Sequence, residues 1–390
     1  MIKIFTALTA FCLATPLVAA PCGGTFSNFV ADLKTEARSK GYSAQSVEYF
    51  FSNAQQDPKV IKADRSQGVF QLPFLEFSGR LISSHRMDHG AKNLKKYAST
   101  FQRIEQDYGI SRGVLTAFWA FETDYGAVQG NFNTLNALLT LAHDCRRPEL
   151  FRPQVFAALE LHKRGDFDPI NTQGAWAGEI GMVQMLPGDI LENGIDGDGD
   201  GHVTLKTSAP DALMTGARML SRMGWRKGEP WLQEITVPSN LDWSQTGLDQ
   251  TKSVADWSRL GISARTGSLG PSNLQASVLL PQGRKGPAFL AYPNFNIYFE
   301  WNKSFVYVTT AAYFATRLEG APAYNAGTPD PALSGTEMQS LQKKLTALGY
   351  DVGAIDGILG AKTRAAVQDM QIKLGLPADA WPTTDLLNRL

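Results

Sequence analysis

A single acid interrupts an apolar, aromatic stretch of helix-forming residues, and any fold of this chain has to build a core around that carboxylate. The stretch reads Ala117-Phe118-Trp119-Ala120-Phe121-Glu122-Thr123-Asp124-Tyr125-Gly126. Helical spacing sets Phe118 and Trp119 one turn before Glu122, and Tyr125 about one turn after it. Ionised carboxylates are costly to bury, so Glu122 is expected to keep its proton to unusually high pH. Two readings follow from the pattern alone. The acid is either satisfied structurally by a hydrogen bond or ion pair, or it is a general acid.

The periodicity around it is helical. From Phe26 to about Arg112, apolar residues such as Phe29, Leu33 and Ala37, then Leu94, Tyr97, Phe101 and Ile104, recur at three- and four-residue spacing. Ser111 is the N-cap expected for a helix over 112–125 that breaks at Gly126. Further helices are predicted over 134–143, 153–163, 211–224 and 304–318. Residues 235–300 carry short apolar runs with frequent Gly and Pro, and 295–299 alternates as a strand would. The segment 319–335 holds three Pro and three Gly with almost no large apolar side chain, which predicts a linker. The last fifty-odd residues suit a small three-helix module.

Length and charge narrow the function. At 390 residues the chain suits one large domain and a small one. Lys plus Arg equals Asp plus Glu at 37 each, which argues against nucleic acid as the main partner, since phosphate binding needs clustered basic charge. Residues 1–20 read as an export signal: Lys3, an apolar run from Ile4 to Val18, then Ala19-Ala20. Pro21 is a poor neighbour for lipid attachment at Cys22, so soluble export to the periplasm is expected rather than an anchor. No downstream run reaches the roughly 20 apolar residues of a membrane span. With Cys12 lost with the signal, Cys22 and Cys145 remain. Two cysteines in an oxidising compartment favour a disulfide, the alternative being two free thiols.

A second segment, Gly174-Ala175-Trp176-Ala177-Gly178-Glu179-Ile180-Gly181-Met182-Val183-Gln184-Met185-Leu186-Pro187, follows about fifty residues later. Its small residues allow close backbone approach, and Gln184 offers an amide donor and acceptor. Together with Glu122-Thr123-x-x-Gly126, the run Gly130 to Leu138 and the run Thr140 to Arg147, it resembles the catalytic core of lytic murein transglycosylases of the membrane-bound B type. That resemblance covers residues 25 to 318. It implies a mainly α, lysozyme-like α+β catalytic domain with a small β-containing insertion. It also implies cleavage of the β-1,4 bond between N-acetylmuramic acid and N-acetylglucosamine in peptidoglycan, leaving 1,6-anhydro ends, with Glu122 as acid and then base. Gln184, Trp176, Asn302 and Tyr307 are implied substrate contacts. Arg146 and Arg147 match paired arginines suited to stem-peptide carboxylates. Two positions depart from the family pattern: Ala175 stands where it has Ser, and Trp301 replaces a cleft Tyr.

Asp196-Gly197-Asp198-Gly199-Asp200-Gly201-His202 supplies oxygen ligands at alternate positions, as in the first half of a calcium loop. The resemblance suggests that Asp211 closes it. The reaction itself needs no cofactor, so calcium or sodium here is expected to be structural, and an Asp-Gly turn without metal is the alternative. His85 and His89, four apart, read as a solvated helix face. The C-terminal run from Met338 through Asp356-Gly357 and Ala361 to Gln368, then Gly375-Leu376-Pro377, is similar to the peptidoglycan-binding type-1 domain. The chain is therefore expected to divide into a catalytic domain at 21–318, a linker at 319–335 and a wall-binding module at 336–390. It is expected to act as a monomer on glycan strands. Two rivals stay open: a lysozyme-type hydrolase of the same bond, and a wall-binding scaffold of little activity.

Overall fold

A computed structural model describes residues 21–66 and 72–390. The export signal expected over 1–20 lies outside the described residues. Helices dominate, as expected. The first six are α1 (Phe26–Ser39), α2 (Ala44–Phe50), α3 (Pro58–Asp64), α4 (Phe74–Leu81), α5 (Ser84–Lys96) and α6 (Ala98–Tyr108). They lead into α7 (Arg112–Thr123), capped by the Ser111 hydroxyl on the Gly113 N–H. A two-residue strand β1 (Phe132–Asn133) precedes α8 (Thr134–His143) and α9 (Pro148–Arg164). β2 (Gln173–Gly174), α10 (Pro187–Asn193) and α11 (Ala209–Arg222) follow.

The insertion then holds β3 (Leu232–Thr236), β4 (Thr251–Ser253), α12 (Val254–Arg259), β5 (Ser263–Ala264), β6 (Gln275–Leu279) and β7 (Phe289–Ala291). Next come α13 (Pro293–Trp301) and α14 (Phe305–Leu318). The C-terminal module consists of α15 (Gly335–Ala347), α16 (Ala361–Lys373) and α17 (Thr384–Arg389), around its own core of Leu341, Leu345, Val367 and Leu386.

The five strands form one antiparallel sheet in the order β4-β6-β7-β3-β5. Both its faces are covered. Leu279, Phe289 and Ala291 face the main helical core, while Val278, Leu280 and Leu290 face a separate cluster around Trp257. Successive side chains on a strand point to opposite sides, so these unbroken apolar runs belong in a sheet buried on both faces.

Three elements differ from the sequence reading. α7 ends at Thr123, two residues early, because Asp124 and Tyr125 both take left-handed backbone conformations (φ 50° and 62°). α9 begins at Pro148, not at Pro153. Pro148 sits where a missing N–H costs nothing, and Pro153 lies on the exposed face. Residues 295–299 are helical. Phe295 and Tyr298 are the fully buried pair, at helical spacing, and Asn294 holds the helix start through its amide on the Arg226 and Glu229 carbonyls.

The segment 319–335 is not a loose tether. The Tyr324 ring packs on Phe74, Phe289 and Tyr313, and its hydroxyl meets that of Ser78 at 2.8 Å. Beyond it the module is bonded to the sheet insertion. Gln368 donates to the Thr246 carbonyl at 2.8 Å and Arg284 pairs with Asp379 at 3.2 Å, while the Trp381 indole holds the connecting segment through the Asp330 carbonyl at 3.0 Å. Cys22 and Cys145 form a disulfide that ties the chain before α1 to the turn after α8. Among the described residues no helix is long and apolar enough to cross a membrane.

Candidate active site

Glu122 occupies the last turn of α7, the helix that packs against α5, α6, α11 and α14. Thr123 explains the residue that follows it. Its buried hydroxyl donates to the Met182 carbonyl at 2.6 Å and accepts the Gly126 N–H at 2.9 Å. One side chain thus ends the helix and clamps it to the loop of the second motif. That loop closes tightly: Ala175 N–H bonds to the Glu179 carbonyl, and Ile180 pairs with Met185. Gly174 is obligatory there, since a Cβ would lie 1.9 Å from the Glu179 carbonyl oxygen.

Two donors from distant parts of the chain converge on one oxygen of Glu122. The Trp301 indole N–H reaches Oε1 at 3.1 Å, and the Tyr307 hydroxyl donates to the same atom. Trp301 is held in place by stacking on Phe118, with ring centroids 4.2 Å apart. Oε2 takes no hydrogen bond from a described residue. Burial pushes the Glu122 carboxyl up to about 7, against the opposing pull of the Tyr307 and Trp301 donors, and the charge of Glu179 adds to the rise. The substitution of Trp for Tyr at 301 therefore preserves a donor to the acid.

Glu179 was named in the sequence only as part of the motif. Its carboxyl is raised by burial, its Oε2 is enclosed without a hydrogen-bond partner, and the Arg147 charge draws it partly back. No sequence signal separates such a Glu from a surface one. Its burial is set by the fold of the loop.

The remaining expected contacts divide. Tyr307 meets Glu122. Gln184, in a left-handed conformation (φ 54°), spends its amide N–H on the Gly181 carbonyl at 2.8 Å. Trp176 packs on the core from the same loop. Asn302 is occupied in the turn between α13 and α14, where its Oδ1 accepts the Ser304 N–H at 2.9 Å. Arg146 and Arg147 converge on one acid. Each donates to a different oxygen of the buried Asp64, a partner that the sequence did not reveal because it lies some eighty residues away. Their outer edges remain exposed.

The Asp-Gly loop brings oxygens of Asp196, Asp198 and Asp211 within 4.8 Å of one another. Asp211, fully buried, also accepts the N–H groups of Gly197 and Thr204 at 2.9 and 2.7 Å. Asp200 and His202, expected as ligands, stand outside this cluster. The Asp200 carboxylate accepts the His202 N–H, and the His202 ring turns to Asp166 at 3.0 Å, where a second carboxylate offers a stronger contact. His85 and His89 touch each other at 2.9 Å on the exposed face of α5, and His85 lies 3.6 Å from Asp124.

The family model of the transglycosylase SLT domain matches residues 25–316. The chain belongs to this transglycosylase family. A putative peptidoglycan binding domain matches residues 334–390. SltB3 from Pseudomonas aeruginosa, solved in complex with NAG-anhNAM-pentapeptide, is similar at 34% identity and a TM-score of 0.85, covering 94% of this chain and 99% of that one. Membrane-bound lytic murein transglycosylase B of Escherichia coli (strain K12) is 27% identical over 235 residues, or 59% of this chain. The match spans 63% of that relative, less than two thirds of its length. SltB1 from Pseudomonas aeruginosa, at 24% identity and a TM-score of 0.65, shares the fold. The likeness to SltB3 thus extends over both folded parts of the chain.

Proposed function

We propose that the protein is a lytic transglycosylase that cuts the glycan strands of peptidoglycan. The observation that carries this reading is the state of Glu122: a carboxyl lifted to about 7, with both donors on Oε1 and the other oxygen left for substrate. Protonated, Glu122 gives its proton to the oxygen between N-acetylmuramic acid and N-acetylglucosamine as the C1–O bond breaks. The carboxylate so formed then removes the proton of the muramyl 6-hydroxyl, whose oxygen bonds to C1. Atoms balance without water, and a 1,6-anhydro ring results. The Tyr307 and Trp301 donors steady the carboxylate between its two roles.

A hydrolase of the same bond would need a second carboxylate to activate water. Glu179 is a poor base for that purpose, since burial favours its neutral form and encloses Oε2. Muropeptides released from purified peptidoglycan decide the matter by mass spectrometry. Anhydro ends, one water lighter than reducing ends, support the proposal. Reducing ends would make the protein a hydrolase, and no release would make it a wall-binding scaffold.

The exposed edges of Arg146 and Arg147 and the Oε1 of Gln184 are the groups left for the substrate's peptide and acetamido parts. The module at the C-terminus binds the wall, and the site of action is the periplasm. The oxygens of Asp196, Asp198 and Asp211 are hard ligands with no lysine or arginine paired to them among the described residues, a donor set that suits calcium or sodium. Such an ion would brace the loop ahead of α11 and take no part in the chemistry. Calcium raising the melting temperature of the wild type, but not of Asp198→Asn, supports that role.

A further inference from the structure

Two imidazoles meet on the exposed face of α5, the helix that packs against α7. His85 and His89 stand four residues apart, which puts them on one face of a helix. His85 Nε2 lies 2.9 Å from His89 Nδ1, and the rings meet edge to face with centroids 4.0 Å apart. The His85 side chain is 60% exposed, so the pair is open to a solute. The other three of the five histidines each commit a ring nitrogen elsewhere: His143 to the Gly24 carbonyl, His162 to the Phe167 carbonyl and His202 to Asp166.

A carboxylate approaches the same nitrogen. Asp124 follows the last residue of α7, and its Oδ2 lies 3.6 Å from His85 Nε2. Its other oxygen is held from behind. Arg86 Nε donates to Oδ1 at 3.0 Å, and Arg86 Nη1 donates to the Leu81 carbonyl at 3.0 Å. Tyr125, the next residue, donates to the Arg86 carbonyl at 2.5 Å, and its ring meets that of His89 edge on. A gap of 3.6 Å exceeds hydrogen-bond length. It is close to the spacing of ligand atoms around one metal ion, since bonds of about 2.1 Å at a tetrahedral angle set neighbours about 3.4 Å apart. The two ring nitrogens reach that spacing by opening about half an ångström, a small change for side chains on an exposed face.

We propose that His85, His89 and Asp124 bind a divalent transition-metal ion of the zinc type, bridging α5 to the end of α7. Imidazole and carboxylate together suit such an ion, whereas calcium and magnesium prefer surroundings made of oxygen alone. The ion takes one lone pair from His85 Nε2 and one from His89 Nδ1. The proton held between those nitrogens moves to the far nitrogen of its own ring, so both ligands stay neutral. Arg86 supplies the outer contact that keeps the carboxylate in place. Asp124 follows Glu122 by two positions, so an ion here clamps the turn that ends the helix of the acid. The site depends on no step of the reaction proposed above.

Isothermal titration calorimetry of the full chain, free of any affinity tag, tests this with zinc chloride. Excess calcium in the buffer fills oxygen sites such as the Asp-Gly loop. One zinc ion per chain is expected to bind and to raise Tm. His85→Gln and His89→Gln should each weaken binding at least about ten-fold and remove the rise in Tm. Asp124→Asn, which keeps the shape without the charge, should weaken it as well. A second measurement needs no variant: zinc should protect both histidines of the wild type from diethyl pyrocarbonate, read by peptide mass spectrometry. No zinc binding in calcium, binding unchanged in both histidine variants, or equal modification with and without zinc would overturn the proposal and leave a ring hydrogen bond only. Binding indifferent to Asp124→Asn would overturn the bridge to α7. None of these readouts uses glycan cleavage, so a failure here leaves the proposed function standing, and a failure of cleavage leaves this site standing.

Discussion

The Trp301 indole donates to the Glu122 carboxylate at 3.1 Å across 179 residues of sequence, and it shares Oε1 with the Tyr307 hydroxyl. The acid is therefore poised by opposing effects. Burial favours the protonated form that the proposed reaction needs first, and two donors favour the ionised form that it needs next. A carboxyl near 7 can serve in both directions at neutral pH.

Removing a donor should shift that balance upward. Both bonds favour the ionised form, so Trp301→Phe and Tyr307→Phe should each raise the Glu122 pKa. The alkaline limb of kcat/KM, where the proton is lost, should move to higher pH by roughly half a unit to one unit, with the larger shift for Tyr307→Phe. Trp301→Tyr, which keeps a donor, should shift it less. Initial rates of muropeptide release across pH 5 to 9 (roughly the range bracketing the acid) provide the measurement.

Glu122 should also cost stability at alkaline pH. Its folded pKa, about 7, lies above its ordinary 4.5, so between these values the folded state binds more protons than the unfolded state. Stability contributed by this group falls as pH rises through that window and is lowest above it. Glu122→Gln, which cannot ionise, should be more stable than the wild type by about 3 kcal/mol at alkaline pH and equal to it near pH 4. Urea denaturation at both pH values checks this, and an equal gap at both would contradict it.

The Cys22–Cys145 bond spans 123 residues of sequence. Closing so long a loop restricts the unfolded chain, so Cys145→Ser should lower stability by about 2–4 kcal/mol. The same loss should follow from reductant on the wild type and be absent when reductant is added to the variant.

Tyr324 anchors the segment between the two domains by burying its ring among Phe74, Phe289 and Tyr313. Tyr324→Ala should destabilise the protein by about 2–4 kcal/mol and open residues 319–335 to protease. Limited proteolysis that cuts wild type and variant equally fast would show the segment to be free in both.

Much of this protein was legible as local pattern. The helix of Glu122, its Ser111 cap and the helices over 134–143 and 304–318 rest on spacing within one or two turns, which the chain carries by itself, while the cysteine pair was legible from the count of cysteines and the C-terminal module from its length and motif. Residues 295–299 misled because Phe295, Ile297 and Phe299 alternate while the burial follows Phe295 and Tyr298, and only packing chooses between the two periods. The calcium-like spacing named five ligands, of which Asp196, Asp198 and Asp211 come together while Asp200 and His202 take other partners.

Sequence alone determined that a lone acid would lie in an apolar helix and that a second segment of small residues would allow close backbone approach. Tertiary structure decided what that acid can do. The donors at 301 and 307, the Asp64 that claims Arg146 and Arg147 and the burial of Glu179 all depend on which side chains meet across long stretches of chain. Desolvation and hydrogen bonding act at distances of a few ångströms, and a linear sequence does not state those distances.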